Sequence, residues 1–372
     1  MALPRLAWVE IDSEAIRNNL SLIRERVGEE VKIMSVVKAN AYGHGALGVA
    51  KIAADWGVDM FGVSAFFEAK QLREAGIRLP ILILGYTPAE NYEDMIDYDV
   101  TATIKNLDVA KALVTAARRK DKIAKVWIKV DTGMHRLGLE PDQVLYFCKK
   151  LTDFPNLEIA GIFTHFADAD DDEEFTAEQL ERFKKVVEEL ESNGIKIPIK
   201  SASASSAIFG YPDSHFNMVR SGLAVLGINR NSKLTFDQRL KPALTFKTEV
   251  VQVHELSPGE TVGYGRAFRV DRPSRIATLA VGYGDGFRRA PHNWGEVIIK
   301  GRRVPLAGRV SMDQAAADIT DINEDIRDGE EVTLIGSDGK ETIRIEEVAD
   351  QLQTSPYEVA VNLSNRVTRI YK

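Results

Sequence analysis

The sequence has one cysteine among its 372 residues and no apolar run near the roughly 18 residues that a membrane-spanning helix needs. A single cysteine excludes an internal disulfide framework and is typical of a reducing compartment. Cys148 lies in the helical pattern VLYFCKKL, where we expect a buried apolar side chain rather than a nucleophile. The N-terminus lacks the apolar core of a signal peptide. We therefore expect a cytoplasmic protein with no membrane segment in this chain.

The sequence also has no excess of basic residues over acidic ones. The chain has 48 Lys and Arg against 55 Asp and Glu, a net charge of −7, so we expect neither a nucleic acid nor an anionic membrane as partner. The densest acidic stretch, DADDDEEF at 168–175, is typical of a solvated loop, and we predict no metal site there. The 44% apolar content can fill a large core, and the length favours one large domain plus a smaller one.

Short β-rich runs recur between helical stretches in the first two thirds of the chain. There are eight, and their residues are 31–38, 60–65, 81–85, 101–104, 125–131, 158–165, 197–203 and 216–220. Several are continuously apolar, as strands covered on both faces should be. This alternation predicts an N-terminal (β/α)8 TIM-type barrel over residues 1–236. From residue 237 to 372, strands separated by glycine and proline turns predict a mainly antiparallel β domain.

Polar side chains follow several of the predicted strands. Lys38 ends the first strand, Lys129 the fifth and His165 the sixth, while Ser205 follows the seventh and Arg220 the eighth. Barrels of this kind carry their active sites at the carboxyl ends of the strands. These residues are distant in sequence, yet the fold is expected to gather them around one mouth.

Lys38, in the stretch VVKANAYGHG at 36–45, has two interpretations. A lysine at the end of an apolar strand often only extends its amine to water. An amine whose pKa is lowered by burial and by nearby cations could instead form a Schiff base with an aldehyde. An aldehyde that carries a phosphate also needs an anion site. Gly222 and Leu223 would expose backbone N–H groups after the eighth strand, where barrels often bind phosphate.

Seven motifs in this order resemble the alanine racemases, enzymes of the fold known as type III. They are VVKANAYGHG, KVDTGMHRLG, FTHFA, FNMVRSG, TVGYGRAF, AVGYGDGF and GRVSMDQ. The resemblance covers essentially the whole chain. It implies pyridoxal 5′-phosphate as cofactor, a small amino acid as substrate and a homodimer with shared active sites. It also implies that the product, D-alanine, is used for peptidoglycan.

The resemblance implies a role for each residue that matches a motif position. Lys38 is expected to be the Schiff-base lysine and one of two catalytic bases, and Tyr264 of the partner subunit the other, since racemisation needs proton carriers on both faces of the substrate. The implied cofactor-binding residues are Lys38, Tyr42, His165, Ser205, Arg220, Gly222, Leu223 and Asn365. The implied substrate-binding residues are Arg136, Tyr283 and Met312, of which Tyr283 and Met312 come from the partner. Lys129 is a candidate for carbamylation.

The sequence also departs from the family's usual motifs. Ala204 replaces an asparagine, Ser311 stands where a cysteine is common, and Asn365 stands where many relatives have a tyrosine. An amide in place of a ring could admit a hydroxymethyl side chain. Serine is therefore an expected second substrate, and a serine racemase of the vancomycin-resistance type is an alternative.

Two further alternatives share the barrel. A fold-type-III amino-acid decarboxylase is expected to carry an acidic residue at the position of Arg220. A non-catalytic carrier of pyridoxal phosphate would lack the second domain, which here includes Tyr264. Both are less favoured than a racemase.

Overall fold

The computed structural model describes residues 5–229 and 237–372. Strand β1 (Ala7–Ile11) and helix α1 (Ser13–Val27) come first. Asp12 caps the N-terminus of helix α1, because its carboxylate accepts a hydrogen bond from the backbone N–H of Ala15 at 2.9 Å. Such a cap satisfies one of the free N–H groups of the first turn.

Eight parallel strands, all within residues 32–221, then form a barrel. They are β2 (Lys32–Val36), β3 (Met60–Val63), β4 (Ile81–Ile83), β5 (Thr101–Ile104), β6 (Ala124–Lys129), β7 (Leu157–Phe163), β8 (Ile199–Ser201) and β9 (Met218–Ser221). From β2 to β8 each strand pairs with the next in parallel, and β9 pairs with β2. Strand β9 is joined to the segment after β8 by the backbone N–H of Arg220, which donates to Ser203 O at 3.0 Å. The predicted barrel is confirmed.

Helices of the barrel lie between these strands, and side chains fill its centre. The helices are α2 (Ala46–Trp56), α3 (Phe66–Glu74), α4 (Tyr92–Asp97), α5 (Leu107–Arg119), α6 (Val144–Leu151), α7 (Glu173–Ser192) and α8 (Ser205–Gly210). A cluster that includes Met34, Trp127, Phe163 and Met218 packs between the strands. Because the interior is filled, ligands can bind only at the mouth.

The C-terminal domain is built on a second, mainly antiparallel sheet. Its strands are β10 (Leu244–Leu256), β11 (Thr261–Val262), β12 (Phe268–Arg269), β13 (Ser274–Leu279), β14 (Glu296–Ile299), β15 (Arg302–Pro305), β16 (Ala315–Asp318), β17 (Glu331–Asp338), β18 (Glu341–Ile343) and β19 (Thr368–Tyr371). Its helices are α9 (Ile345–Leu352) and α10 (Pro356–Val361). Strand β10 is the longest and pairs with β1, β13 and β17. The predicted antiparallel domain is confirmed.

Strand β1 belongs to the second sheet, although the predicted division assigned residues 1–236 to the barrel. Val9 pairs with Phe246 of β10 in the antiparallel sense and with Arg369 of β19 in the parallel sense. The predicted boundary itself adjoins residues outside the described ranges and stays a prediction. Within those ranges no helix is both long and apolar enough to span a membrane.

Candidate active site

A left-handed turn follows strand β2 at the barrel mouth. Strand β2 ends at Val36, not at Lys38 as predicted, and Lys38–Tyr42 form this turn. Its last four residues have φ between 50° and 55°. An L-residue in this conformation costs roughly 1–2 kcal/mol, so the run persists only where its surroundings hold it.

Side chains of the barrel hold the turn from one side. The carboxylate of Glu68, in α3, accepts a hydrogen bond from the backbone N–H of Ala39 at 2.6 Å. Within the same segment, Asn40 Oδ1 accepts from the N–H of Ala46 at 2.8 Å, which links the turn to the start of α2. Asparagine tolerates the left-handed conformation better than the alanines around it.

The C-terminal strand β19 holds the turn from the other side. Arg369 Nε donates to Gly43 O at 3.0 Å, and the Tyr371 hydroxyl donates to His44 O at 3.1 Å. Gly43 has φ 83°, and a Cβ there would lie 1.9 Å from Ala360 O in helix α10. Only glycine fits, because the backbones of the two domains touch at this point.

His44 gives the protein a pH-dependent stability. Burial, and more weakly Arg369, lower the pKa of His44 from 6.5 to about 4. Between pH 6.5 and 4, His44 is therefore protonated in the unfolded chain but not in the folded chain. We expect the contribution of His44 to the free energy of unfolding to be largest above pH 6.5 and to fall, by up to about 3 kcal/mol, as the pH drops toward 4.

Urea unfolding curves between about pH 5 and pH 7 check this expectation. His44→Asn should reduce the pH slope because asparagine does not titrate in this range. Its amide can still donate to Tyr42 O, which His44 Nδ1 contacts at 3.0 Å. His254→Asn, at an exposed position of β10, is the matched control. A His44→Asn protein with the parent's full pH slope would contradict the assignment.

Lys38 lies at the start of the turn. Burial and the nearby cation of Arg136 lower its pKa, and the carboxylate of Glu68 opposes them. Its Nζ is 5.9 Å from the centre of the Tyr42 ring. A lowered pKa leaves more of the amine uncharged at neutral pH, and the uncharged amine is the form that attacks an aldehyde.

An anion cradle lies next to Lys38. A Cβ on Gly222 would be 2.7 Å from the Tyr42 hydroxyl, so only glycine lets this phenol approach the strand end. The Ser205 Oγ accepts from the N–H groups of Gly222 and Ala224, both at 3.2 Å, and keeps its own proton to donate. Burial, followed by Glu68, raises the pKa of Tyr42, so this phenol too remains a donor. Leu223 follows Gly222 and is half-buried.

Arg220 is buried among acceptors. Its Nη1 donates to Ser201 O at 2.9 Å, and its Nη2 donates to Thr164 O at 2.7 Å and Ala202 O at 3.1 Å. Burial lowers the pKa of this guanidinium to about 9, which still leaves it charged at neutral pH. Arg220 Nη2 is 3.4 Å from His165 Nδ1, and burial and then Arg220 hold the pKa of His165 well below 6.5. His165 is therefore neutral and can accept at Nδ1.

Lys129 is a second amine of lowered basicity. Burial, then the charge of Arg220, lower its pKa to about 7 although Asp131 opposes them. Burial disfavours the Asp131 carboxylate, but hydrogen bonds from the N–H groups of His135 and Gly133 keep its pKa below the ordinary value. Those bonds also order the loop on which Arg136 stands, exposed, at the mouth.

Four of the expected site residues lie on the C-terminal domain. Tyr264, Tyr283 and Met312 are 64%, 41% and 54% exposed, and Asn365 is exposed as well. The backbone N–H of Tyr283 donates to Ser311 O at 3.0 Å, so the loops of Tyr283 and Met312 are joined. The guanidinium of Arg289 lies 5.8 Å from the Tyr264 ring centre. A single chain thus gathers the barrel residues at the mouth and presents these tyrosines at its surface.

Sequence reasoning missed three residues around Lys38: Glu68, Arg369 and Tyr371. Glu68 had only half of a signal: it is the acidic residue in the first turn of helix α3, but Ala65 at the N-cap has no side-chain acceptor to complete a capping box. Arg369 and Tyr371 had none, since their partners at 43–45 are more than 300 positions away in sequence. The left-handed turn could not be predicted for the same reason, because Arg369 and Tyr371, which help to stabilise it, are distant in sequence.

Comparison with known proteins gives one family for both domains. A family model described as "Alanine racemase, N-terminal domain" matches residues 11–230, and "Alanine racemase, C-terminal domain" matches residues 243–371. The alanine racemase of Methanococcus maripaludis is 43% identical over 368 residues, which are 98% of each chain. That of Halothermothrix orenii is 41% identical over 100% of this chain and 98% of its own.

Solved structures agree with this result. An alanine racemase of Clostridium difficile 630 superposes with a TM-score of 0.95 at 37% identity, over 100% of this chain and 97% of that one. An alanine racemase of Bacillus anthracis with bound L-Ala-P has a TM-score of 0.92 at 34% identity, over 100% and 96%. The chain therefore belongs to the alanine racemase family, whose enzymes are isomerases that depend on pyridoxal phosphate.

The family assignment also bears on the alternatives. The curated relatives and the solved structures are alanine racemases, so the serine racemase alternative is not favoured. A carrier without a second domain does not match a chain whose residues 243–371 fit the C-terminal family model.

Proposed function

We propose that this protein interconverts L-alanine and D-alanine with pyridoxal phosphate, using Lys38 and Tyr264 as the two proton carriers. The observation that supports this most directly is the placement of Lys38, with its lowered pKa, beside the cradle of Tyr42, Ser205 and Gly222. A use of D-alanine for peptidoglycan and a cytoplasmic location belong to the same proposal. The single buried cysteine supports the location.

The residues at the mouth fit the cofactor group by group. Lys38 would hold its aldehyde carbon, while Tyr42, Ser205, Gly222, Leu223 and Asn365 would hold its phosphate. Arg220 would donate to the pyridine nitrogen, where a donor that is charged at neutral pH opposes protonation. When bound, pyridoxal phosphate supplies an electron sink that makes the Cα–H of an attached amino acid acidic.

Proton transfer falls to the protein's own side chains. Inversion at Cα requires one group to take the proton from one face and another group to deliver a proton to the opposite face. Lys38 would serve one face and Tyr264 the other. Arg136 and Met312 would bind the substrate carboxylate, and Tyr283 would stand at the entrance.

A homodimer is part of the proposal because Tyr264, Tyr283 and Met312 are exposed on the C-terminal domain of a single chain. Each is more than 40% exposed, and the loops that carry Tyr283 and Met312 are hydrogen-bonded to each other, so the two side chains are presented together. In a symmetric dimer the C-terminal domain of one subunit would bring them to the barrel mouth of its partner. Each active site would then be incomplete in a single chain.

Carbamylation of Lys129 follows from its environment. With a pKa of about 7, roughly half of this amine is uncharged at neutral pH and can add to carbon dioxide. The carbamate would give Arg136 an anionic partner. We expect a carbamate carbonyl resonance in the ¹³C NMR spectrum after equilibration with labelled bicarbonate.

Two variants assign that resonance. Lys129→Arg should remove it, while Lys125→Arg, at an exposed position of the same strand β6, should keep it. Spectra that are identical in the parent and in Lys129→Arg would refute carbamylation at this residue.

Chiral analysis of the product tests the proposed activity. Purified protein with added pyridoxal phosphate should convert either alanine enantiomer to a racemic mixture and should introduce deuterium at Cα in heavy water. L-serine is assayed in parallel, and release of carbon dioxide is monitored as the mark of a decarboxylase. A protein that binds the cofactor but exchanges no α-hydrogen of alanine would refute the proposal.

A further inference from the structure

Glu68 connects the start of helix α3 to the left-handed turn that follows Lys38. It lies in the first turn of helix α3, and its side chain is buried, with 8% of the residue exposed. One oxygen, Oε2, accepts from the N–H groups of Ser64 at 2.7 Å and Ala65 at 3.2 Å. The other, Oε1, accepts from Ala39 at 2.6 Å. A single carboxylate thus binds the start of α3 and the first peptide after Lys38.

The chemistry of these contacts requires an acceptor on both oxygens. All three partners are backbone N–H groups, and an ionised carboxylate is a side chain that only accepts. The 2.6 Å contact is as short as charge-assisted hydrogen bonds are. Ala39 is also the first of the four left-handed residues. Glu68 therefore acts at the position where the strained turn leaves the lysine.

We propose that Glu68 is a positioning residue, which fixes the left-handed turn and thereby the direction in which the Lys38 amine points. The inference rests on the proposed role of Lys38 and adds to it the group that orients the amine. Glu68 does not touch the cofactor cradle through its own hydrogen bonds, which all go to backbone amides.

The negative charge of Glu68 also affects the pKa of the Lys38 amine, which it raises. Arg136 is the cation that lowers the pKa of Lys38, and the centre of the Tyr42 ring lies 5.9 Å from the Lys38 Nζ. Lys38 in turn acts on His165 together with Arg220, Lys129 and Arg136. The Asp131 carboxylate, which acts on Lys129, already accepts from the N–H groups of Gly133, Met134 and His135. Glu68 supplies the negative charge that favours the protonated amine of Lys38.

Glu68→Gln tests both effects. Glutamine has the same size, but its NH₂ group must face a backbone N–H in one of the two contacts. The control is Glu346→Gln in helix α9 of the C-terminal domain: Glu346 is likewise 8% exposed, and its carboxylate accepts from the N–H of Asn229 at 3.1 Å. Both variants lose one buried negative charge.

The first readout does not need the cofactor. In cofactor-free protein labelled by reductive ¹³C-methylation, the Lys38 signal is assigned by its loss in Lys38→Ala, and its titration midpoint is followed by NMR. Removal of the carboxylate should lower this midpoint in Glu68→Gln, and Glu346→Gln should titrate as the parent does.

The second readout is the kinetics of the loaded enzyme. In Glu68→Gln we expect kcat to fall on the order of tenfold with KM changed less than about twofold, since a misdirected amine slows proton transfer more than binding. Glu68→Asp keeps the charge but is too short to reach Ser64 and Ala39 together. It should keep the parent's midpoint and still lose kcat.

Three outcomes distinguish the proposed role of Glu68 from the proposed racemase activity. If Glu68→Gln matches the parent in midpoint and kcat, the inference is wrong. If Glu68→Gln does not fold, a Glu68→Asp protein with the parent's kcat overturns it instead. If the parent itself does not racemise alanine, the proposed function fails, while the midpoint still reports whether Glu68 acts on Lys38.

Discussion

Lys38→Ala is expected to remove the visible absorbance of protein-bound pyridoxal phosphate and to reduce alanine racemisation by roughly 10³–10⁴-fold or more. The substitution deletes the covalent anchor of the cofactor and one of the two proton carriers at the same time. Absorption spectra after gel filtration report the first loss, and chiral chromatography of alanine reports the second.

The control for this experiment comes from the same strand. Lys32 lies at the opposite, exposed end of β2, and Lys32→Ala should keep both properties. Lys129 is the other candidate anchor, because burial gives it too an amine of lowered pKa. Borohydride reduction followed by peptide mapping distinguishes them: a label on the peptide of Lys129 in the parent protein would show that the assignment to Lys38 is wrong.

The sequence predicted the position of Lys38 but not its conformation. Its location at the mouth followed from the apolar run before it, since buried parallel strands are continuously apolar. The left-handed turn that follows could not be predicted, because the sequence Ala-Asn-Ala-Tyr has only asparagine to favour positive φ. What stabilises the turn comes from elsewhere in the chain, namely Glu68, Arg369 and Tyr371.

Strand β1 shows the same limit at the level of the fold. Its sequence, AWVEI, predicts a strand without indicating which sheet it joins. The choice depends on Phe246 and Arg369, which lie more than 230 residues further along the chain. Local periodicity predicts elements well, but pairing between distant segments is decided by packing that a single sequence does not reveal.

The positions of Tyr264, Tyr283 and Met312 raise a different difficulty. Their motifs assigned them to a site, while one chain leaves all three exposed on the C-terminal domain. Glycines flank Tyr264, and Gly263 and Gly265 both have positive φ, so the backbone presents the phenol outward at a tight turn. In the proposed dimer, the barrel mouth of the partner is the surface on which this phenol would act.

Tyr264→Phe should leave the cofactor absorbance unchanged and lower racemisation in both directions by about 10²–10⁴-fold. Phenylalanine keeps the ring and its packing and removes only the hydroxyl that would carry the proton. Tyr98→Phe is the matched control, because its hydroxyl donates to Glu74 at 3.1 Å on the outside of the barrel. Parent-like turnover of both enantiomers by Tyr264→Phe would exclude the phenol as a proton carrier.

Mixing the two inactive variants tests whether the phenol acts across a subunit boundary. If Tyr264 serves the partner's site, a dimer of one Lys38→Ala chain and one Tyr264→Phe chain has one site with both defects and one site with neither. Random reassociation of equal amounts should then restore about a quarter of the parent activity, since half of the dimers are mixed and half of their sites are intact. If Tyr264 serves the site of its own chain, every site in every dimer carries a defect and the mixture stays inactive.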